Sequence, residues 1–470
     1  MKKLTALFAM LLILATCTKD LSDFNNSNTP PPLPEEVLAS ATISLFDMMA
    51  DVGNNRNMFR IFAQYWTEAT FPGNFKYIVD GVSENTWIVM YTDVLKNLKE
   101  TKTLLDEDVD ISVQELQAQK AVITVLESYV YVFLVDLYGN IPYSQAVSDN
   151  LKPHYDNGID IYNAVIINLN KAIGQLKEVN SLAITDLIYQ GNSVAWQKMA
   201  NALKLKLAIR LADYDNTLAK SVAEEAIAEG VFESSADDFL INYHEMSPNT
   251  NPLWIRLVES GRFDYVATNT IGDVLNTLND PRRSAFFKNL DVDGNVIGGS
   301  FGFTVSYNAT SQPGSLLENP TLPSVIMSYT EVLFLLADAA ERGYSAGGTP
   351  DDFYAAAVKN SILDWNGSVD DAMTYLAQAD VAYETAPGTW KEKIGVQKWL
   401  ALYNRGFEAW ATYKLYDAPA FNFPQSDDIK TPLRLLYPET ETTLNTVNVE
   451  AASAAIGGDK MTTKVFWDVN

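Results

Sequence analysis

The sequence predicts a mainly α-helical protein, with a scaffold of helical pairs similar to tetratricopeptide units, irregular loop insertions and a small β-hairpin region. Apolar residues recur at helical spacing over most of the 470 residues. The segment 121–138 is apolar on nearly every face, which is typical of a helix buried on all sides. Helical spacing fades between 237 and 312. No clean 34-residue period is present, so the likeness concerns paired helices and not a sequence repeat.

In the first half of the chain, helices are predicted between clear start and stop signals. The first begins at Pro34, because proline and the acidic Glu35 and Glu36 are favoured in the first turn of a helix. The buried helix ends at Gly139, since glycine often terminates helices, and Pro142 prevents its continuation. The predicted ranges are 34–49, 84–105, 121–138, 159–179, 193–213 and 216–229.

The second half is predicted to alternate between irregular and helical segments. Apolar and polar residues alternate over 290–305, on both sides of Asp293 and Gly294, a turn pair typical of β-hairpins. Helices are predicted at 329–341, 350–365 and 394–416, and the chain beyond Pro419 is predicted to be loop-like. These patterns define one domain, 34–470: a helical scaffold mainly at 34–236 and 326–418, a loop and hairpin insertion at 237–325, and a loop-rich C-terminal segment at 419–470.

The N-terminus has the layout of a bacterial lipoprotein signal. Lys2 and Lys3 precede an apolar run over 4–14, and Cys17 follows it. Cys17 is the only cysteine, so it has no intramolecular disulfide partner. We therefore expect a signal peptide at 1–16, a lipidated Cys17, and a proline-rich tether at 17–33 that holds the folded body at a membrane. The alternative is a plain signal peptide with a coincidental cysteine.

The charge of the chain excludes one class of partner. The formal net charge is −25, from 34 basic and 59 acidic residues. Loss of residues 1–16 removes Lys2 and Lys3 and makes the net charge −27. Such a surface repels phosphate backbones, so nucleic acid is not an expected partner. The 9 Trp, 23 Tyr and 21 Phe suit a helical core, and they also suit aromatic platforms that bind sugars.

No sequence motif indicates catalysis, a metal site or a cofactor. His154 and His244 are the only histidines and lie 90 positions apart, so a zinc site or a His-based triad is not expected. The segment 291–295 begins like a calcium loop, but its twelfth position is Gly302 instead of glutamate, and a hairpin turn explains it better. Paired carboxylates of a glycosidase remain possible in principle, but spacing cannot select a pair among 59 acidic residues.

Five blocks of sequence resemble one family. The first contains Asp136, Tyr138, Gly139 and Pro142 in the pattern D-x-Y-G-x-x-P, and the second, from Trp196, matches W-x-K-x-A-N-x-L-K-L. The third is similar to S-Y-x-E-x-x-F-L-x-A-E-A. The blocks are, in chain order, 133–143, 196–205, 327–339, 397–402 with 408–410, and 434–445 with 464–468. Their order and spread identify the chain as similar to the SusD/RagB-like outer-membrane nutrient-binding lipoproteins, in the SusD-like branch.

This resemblance implies a binding protein and not an enzyme. Such proteins lie on the outer face of the outer membrane, anchored by lipid, and cap a TonB-dependent, SusC-like barrel transporter. They capture oligosaccharides or other oligomers, including peptides in some members, and deliver them to the barrel. Two alternatives remain open from the sequence: a surface lipoprotein hydrolase (glycosidase or peptidase), and a structural surface protein that binds no small ligand.

Candidate ligand-binding residues lie where helical periodicity is absent. A flat aromatic face beside hydrogen-bonding groups is what a sugar requires. Two clusters meet this description, and they contain Tyr65, Trp66, Phe71, Phe75 and Tyr77 in the first, and Asn251, Trp254, Arg262, Phe263 and Tyr265 in the second. These aromatic residues could equally pack onto the body of the protein or onto the barrel.

Overall fold

The computed structural model describes residues 32–53, 56–70, 77, 81–107, 110–184, 186–422 and 430–469. Its helices are α1 (Pro34–Ala50), α2 (Phe59–Phe62), α3 (Val82–Ile88), α4 (Lys96–Glu107), α5 (Val113–Tyr138), α6 (Gly158–Leu176), α7 (Ser193–Leu211), α8 (Asn216–Glu229), α9 (Pro252–Trp254), α10 (Asn269–Thr277), α11 (Arg283–Phe286), α12 (Tyr329–Glu341), α13 (Pro350–Asp364), α14 (Val369–Leu376), α15 (Trp390–Ala401), α16 (Gly406–Tyr416), α17 (Glu439–Leu444) and α18 (Thr446–Ala455). The predicted signal peptide, Cys17 and nearly all of the tether lie outside the described residues.

Neighbouring helices in the chain pack against each other and form the scaffold. Helix α5 packs on α6, α6 on α7, and α7 on α8. A second group joins α12 to α13 and α15 to α16, and α12 also contacts α7, which unites the two groups around one apolar core. The fold is therefore mainly α-helical and tetratricopeptide-like, as the sequence predicts.

Helix α5 is the central element of the scaffold. Ser112 caps its N-terminus by accepting a hydrogen bond from the Glu115 amide, and Gly139 follows its last residue with a φ of +82°, a conformation that favours glycine. Among the described helices, α5 alone is long and apolar enough to cross a membrane, but 83% of its most apolar stretch is buried inside the protein. The buried, central position of α5 explains why the helix is so apolar.

Three pairs of short antiparallel strands accompany the helices. They are β1 (Trp66–Glu68) with β3 (Tyr265–Ala267), β2 (Phe239–Ile241) with β6 (Ser324–Met327), and β4 (Phe287–Lys288) with β5 (Gln312–Pro313). β1 pairs with β3 across about two hundred positions, and β6, the partner of β2, lies beside α1. These two pairs attach the insertion to the scaffold, whereas β4 and β5 pair within the insertion.

The hairpin predicted over 290–305 is wrong. A turn does form there, because the Asp291 carboxylate accepts hydrogen bonds from the amides of Asp293 and Asn295. The residues after the turn bond elsewhere: the amide of Val296 donates to the Asn276 side chain. The strands that pair in this region are β4 and β5, which flank the predicted hairpin.

The single helix predicted over 394–416 is also wrong, because the chain reverses between α15 and α16. Asn404 adopts a φ of +74° in the connection. Gly406 lies against the backbone of α2, where a Cβ would come within 2.4 Å of the Arg60 nitrogen. A glycine with no side chain permits this close approach, and its place within an apolar helical pattern concealed the reversal.

The C-terminal segment contains helices where the sequence predicts loops. Helices α17 and α18 follow Pro438, and within them only Val449 and Ala452 are buried. A helix without a continuous apolar stripe produces no periodic signal, which explains the wrong prediction.

Candidate functional site

The structure brings the two predicted loop clusters together. Strand β1 pairs with β3 in the register Trp66 to Ala267 and Glu68 to Tyr265. The pairing continues beyond the strands, where the Ala69 amide donates to the Asp264 carbonyl oxygen at 2.7 Å. Segments separated by about two hundred positions therefore form one continuous element.

Tyr65 and Trp66 lie in the core beneath this element and are fully buried. The Tyr65 hydroxyl donates to the carbonyl oxygen of Trp399, and the Trp66 indole Nε1 donates to the Tyr403 hydroxyl at 2.9 Å. The Arg60 guanidinium lies 5.4 Å from the centre of the Trp66 ring. In this conformation neither side chain presents a face to a ligand.

Three further predicted residues are also buried and serve as supports. Tyr77 accepts a hydrogen bond from Gln64 and packs on Phe301, with ring centres 5.7 Å apart. Asn251 caps α9 through the Leu253 amide at 2.7 Å. The Tyr265 hydroxyl donates to the Val52 carbonyl oxygen. Phe71 and Phe75 lie outside the described residues.

Trp254, Arg262 and Phe263 are the predicted residues that reach the surface. The Phe263 side chain is 66% exposed, and its ring contacts that of Tyr307 edge to face, with centres 5.3 Å apart. Arg262 donates to the Asp264 carboxylate at 2.5 Å. Trp254 is half-buried and ends α9, where a π-helical turn, Ile255–Glu259, widens the backbone. Such turns are frequent at functional sites.

We call Trp254, Phe263 and Tyr307 together the aromatic platform; the rings of Phe263 and Tyr307 are in contact, and Trp254 lies at the end of α9. Arg256, in the π-helical turn, forms an ion pair with Asp51 at 3.1 Å just after α1. The Asp51 carboxylate also accepts hydrogen bonds from the amides of Val52 and Gly53. The end of α1 therefore holds the π-helical turn that follows Trp254.

Tyr307 and the exposed Phe303 are not among the residues that the sequence predicts for the site. Both lie in 298–307, which has no helical periodicity and carries four glycines or serines before Phe303. The same criterion that selected the two loop clusters applies to this segment. The hairpin predicted over 290–305 hid Phe303, and Tyr307 lies just beyond that range.

A second concave feature lies between the insertion and the scaffold. This cavity of about 360 Å³, which we call the junction cavity, is bounded by the end of α1, by β2 and β6, and by the turn between α15 and α16. Asp238, Asp364 and Arg405 contribute charged groups to its lining. Burial raises the pKa of Asp238 to about 7; the hydrogen bond from the Tyr329 amide opposes this rise, and the nearby Asp364 carboxylate adds to it.

A cluster of Ser144, His154 and Asp156 does not form a catalytic triad. A single ring nitrogen, His154 Nε2, lies 3.1 Å from Ser144 Oγ and 3.0 Å from the Asp156 carboxylate. A triad requires the two partners on different ring nitrogens. Although burial raises the pKa of Asp156, hydrogen bonds from Ser144, His154 and Tyr143 hold it below its usual value. The cluster therefore braces a loop.

Within the described ranges, no three His, Cys, Asp or Glu side chains are grouped so that they could hold a metal ion.

The fold and the surface described above can be compared with known protein families. The family model described as "Starch-binding associating with outer membrane" matches residues 25–438. The chain therefore belongs to this SusD-like family, whose members are binding proteins associated with the outer membrane.

Solved structures agree with this assignment over the whole fold. A structure named as a chitin-binding protein is 27% identical, has a TM-score of 0.81, and is matched over 93% of this chain and 100% of its own. A chitin-binding SusD homologue from Flavobacterium johnsoniae has a TM-score of 0.79 at 23% identity, with 92% and 99% covered. A SusD homologue from Bacteroides uniformis has a TM-score of 0.78 at 26% identity, also with 92% and 99% covered. No curated protein matches the chain.

Proposed function

We propose that this protein is a lipid-anchored protein of the outer membrane, facing the cell exterior, that captures glycans or other oligomeric nutrients and delivers them to a TonB-dependent, SusC-like barrel. Membership of the SusD-like family supports this proposal. The single observation that carries the ligand-binding part is the pairing of β1 with β3, which sets the exposed ring of Phe263 on a braced surface. The lipid anchor rests on the signal layout that ends in Cys17.

The first ligand class that we propose is chitin oligosaccharides. Two structural neighbours are named as chitin-binding, which supports this choice over other glycans. The C–H faces of a pyranose can stack on the aromatic platform, while hydroxyl groups bond to polar side chains such as Arg262. Peptide ligands are the alternative within the same function.

Binding without turnover is part of the proposal. In the cluster of Ser144, His154 and Asp156, both partners contact the same ring nitrogen, His154 Nε2, so the cluster lacks the geometry of a catalytic triad. Members of the SusD-like family are binding proteins. Incubation with chitin oligosaccharides should therefore release no products, and turnover that one acidic substitution abolishes would contradict this part.

Calorimetry with chitin oligosaccharides of increasing length tests the ligand. Phe263→Ala and Trp254→Ala should each weaken binding by about 2 kcal/mol, or roughly thirtyfold, because truncation of an aromatic anchor removes its stacking area. Leu151→Ala is the matched control, since Leu151 is 90% exposed and lies away from the platform in the chain. Equal affinity in all four proteins would place the site elsewhere, and binding of peptides alone would identify the alternative ligand.

Delivery to a barrel needs a separate experiment. The protein should co-purify in detergent with a SusC-like barrel encoded in the neighbouring reading frame. If the protein binds its ligand but does not co-purify with the barrel, the capture of ligand would stand and the delivery step would be wrong.

A further inference from the structure

The junction cavity contains two acidic side chains without ion-pair partners. Asp238 accepts one hydrogen bond, from the Tyr329 amide to Oδ1 at 2.6 Å, and no described residue donates to its Oδ2. Asp364 accepts hydrogen bonds from Thr330 and Asn360 at its carboxylate. Among the residues that the structure describes, neither aspartate lies within ion-pair distance of a lysine or an arginine. Asp238 is half-buried, and a half-buried carboxylate without a counter-charge carries an energetic cost that a ligand cation would relieve.

The two guanidinium groups of the cavity bond to groups other than the aspartates, and Arg405 Nε has no hydrogen-bond partner among the described residues. Arg405 donates to the Glu331 carboxylate, to Ser328 and to the backbone. Arg60 donates to Asn404 and to two backbone carbonyl oxygens. Neither guanidinium forms an ion pair with Asp238 or Asp364. No cation therefore contacts the two carboxylates, although burial raises the pKa of both and Arg405 is close enough to oppose this rise.

Neutral polar groups and an aromatic ring complete the lining. The side-chain amide of Asn366 and Nδ2 of Asn404 have no partner within the part of the chain that the structure describes, and both residues line the cavity. Trp365 lies between them and the core, where its ring contacts those of Phe286 and Tyr403 with centres 4.8 and 5.4 Å apart. An indole ring attracts organic cations. Amide groups both donate to and accept from hydroxyl groups.

The remaining walls are apolar, from Leu240, Leu253, Leu316 and Leu322. The volume of about 360 Å³ falls within the range of roughly 300–1,000 Å³ that is typical of small-molecule sites. Asp364 and Asn366 are exposed, whereas Arg60 and Glu408 are buried, so the cavity runs from the surface towards the core.

A structural role accounts for only part of this arrangement. Tyr329 and Thr330 are the first two residues of α12, and their bonds to Asp238 and Asp364 satisfy donor groups at the start of the helix. Asp238 accepts from a backbone amide of this terminus, whereas Asp364 accepts from the side-chain hydroxyl of Thr330 and satisfies no backbone donor there. Helix capping explains neither the free Oδ2 of Asp238 nor the amides and indole that face the same open volume.

We propose that the junction cavity is a second binding site, separate from the aromatic platform, that takes a small hydroxylated primary amine of the amino-monosaccharide class. The ammonium group lies between Asp238, Asp364 and the Trp365 ring, the hydroxyl groups bond to Asn366 and Asn404, and the carbon skeleton contacts the leucine wall. This site does not depend on the glycan platform and goes beyond the proposed capture of oligomers.

Calorimetry on the purified protein with glucosamine, N-acetylglucosamine and glucose tests the site. Glucosamine should bind at least about tenfold more tightly than the other two, because only its ammonium can bond to the carboxylates. Asp238→Asn, which keeps the shape and the acceptor for the Tyr329 amide, should weaken glucosamine binding at least tenfold. Leu316→Trp should block binding by filling the cavity. Asp370→Asn is the matched control, since Asp370 is an exposed aspartate in the first turn of α14.

The same variants separate this site from the platform. Phe263→Ala should leave glucosamine binding unchanged, while Asp238→Asn should leave chitin oligosaccharide binding unchanged. Absence of glucosamine binding would overturn the proposal, and so would equal affinity for the three sugars, or a loss in Phe263→Ala without a loss in Asp238→Asn. Asp238→Asn decides the outcome if Leu316→Trp does not fold.

Discussion

The indole Nε1 of Trp66 donates a hydrogen bond to the hydroxyl of Tyr403 at 2.9 Å, and Tyr403 donates in turn to the carbonyl oxygen of Phe286 at 2.8 Å. This chain of bonds connects β1, the turn between α15 and α16, and α11. All three residues are buried. Trp66 therefore joins the strand element below the platform to the scaffold.

Trp66→Ala should destabilise the protein by about 3–5 kcal/mol, because it leaves a cavity and removes the donor to Tyr403. Urea unfolding followed by circular dichroism measures this loss. Trp254→Ala is the matched comparison, since Trp254 is half-buried and should lose much less stability. A Trp66→Ala variant as stable as the parent would show that the ring does not support the fold.

The sequence could predict the helices but not the role of Trp66. Periodic apolar residues define a helix locally, and α8 (Asn216–Glu229) and α12 (Tyr329–Glu341) begin and end at the predicted residues. An aromatic residue in a segment without periodicity gives the same signal whether it is buried or exposed. The partner that decides the matter, Tyr403, is 337 positions away.

The platform illustrates the same division between local and long-range information. The two loop clusters could be selected because they lack periodicity and contain aromatic residues. Their junction through β1 and β3 depends on strands of three residues each, which are too short to show alternation. Phe263 is exposed, whereas Tyr265, two positions later at the start of β3, is buried.

Glu408→Gln should destabilise the protein by about 3–5 kcal/mol, because Glu408 is a buried partner of two cations. Its carboxylate lies 2.9 Å from Lys206 and 3.0 Å from Arg210, both on α7, while Glu408 itself is on α16. Loss of its charge leaves positive charge in the core between the two groups of helices. Urea unfolding measures the change.

Glu229→Gln is the control for Glu408→Gln. Glu229 pairs with Lys177, but both side chains are substantially exposed, so its loss should cost less than about 1 kcal/mol. If the two substitutions cost similar free energy, the charges of Lys206 and Arg210 would be hydrated or neutralised by other groups when Glu408 is lost.

Lys414 should make stability depend on pH above neutrality. Burial lowers the pKa of Lys414 from 10.5 to about 7, against the opposing effect of Asp136 and Asp468. Between these two values the unfolded chain binds more protons than the folded protein, so the free energy of unfolding should rise with pH. We expect this rise from pH 7 to about pH 9.5, before the buried tyrosines contribute.

Lys414→Met isolates this contribution. The difference in free energy of unfolding between the parent and Lys414→Met should shift in favour of the parent as pH rises from 7 to 9.5. Lys96→Met, at an exposed position, should show no such trend. A difference that is constant with pH would mean that Lys414 stays charged in the folded protein, held by its bonds to the carbonyl oxygens of Asp136 and Leu433.

Cys17→Ala should release the protein from the membrane. Two or three acyl chains hold a lipoprotein firmly, and the substitution removes the thiol to which they attach. Phase partitioning in detergent should move the variant to the aqueous phase, while the control Thr18→Ala stays in the detergent phase. The same experiment tests whether helix α5 contributes to membrane binding. Among the described helices, only α5 has the length and composition of a membrane span, and most of its apolar stretch is buried. If Cys17→Ala remained in the detergent phase with its helical content unchanged, the anchor would lie elsewhere in the chain.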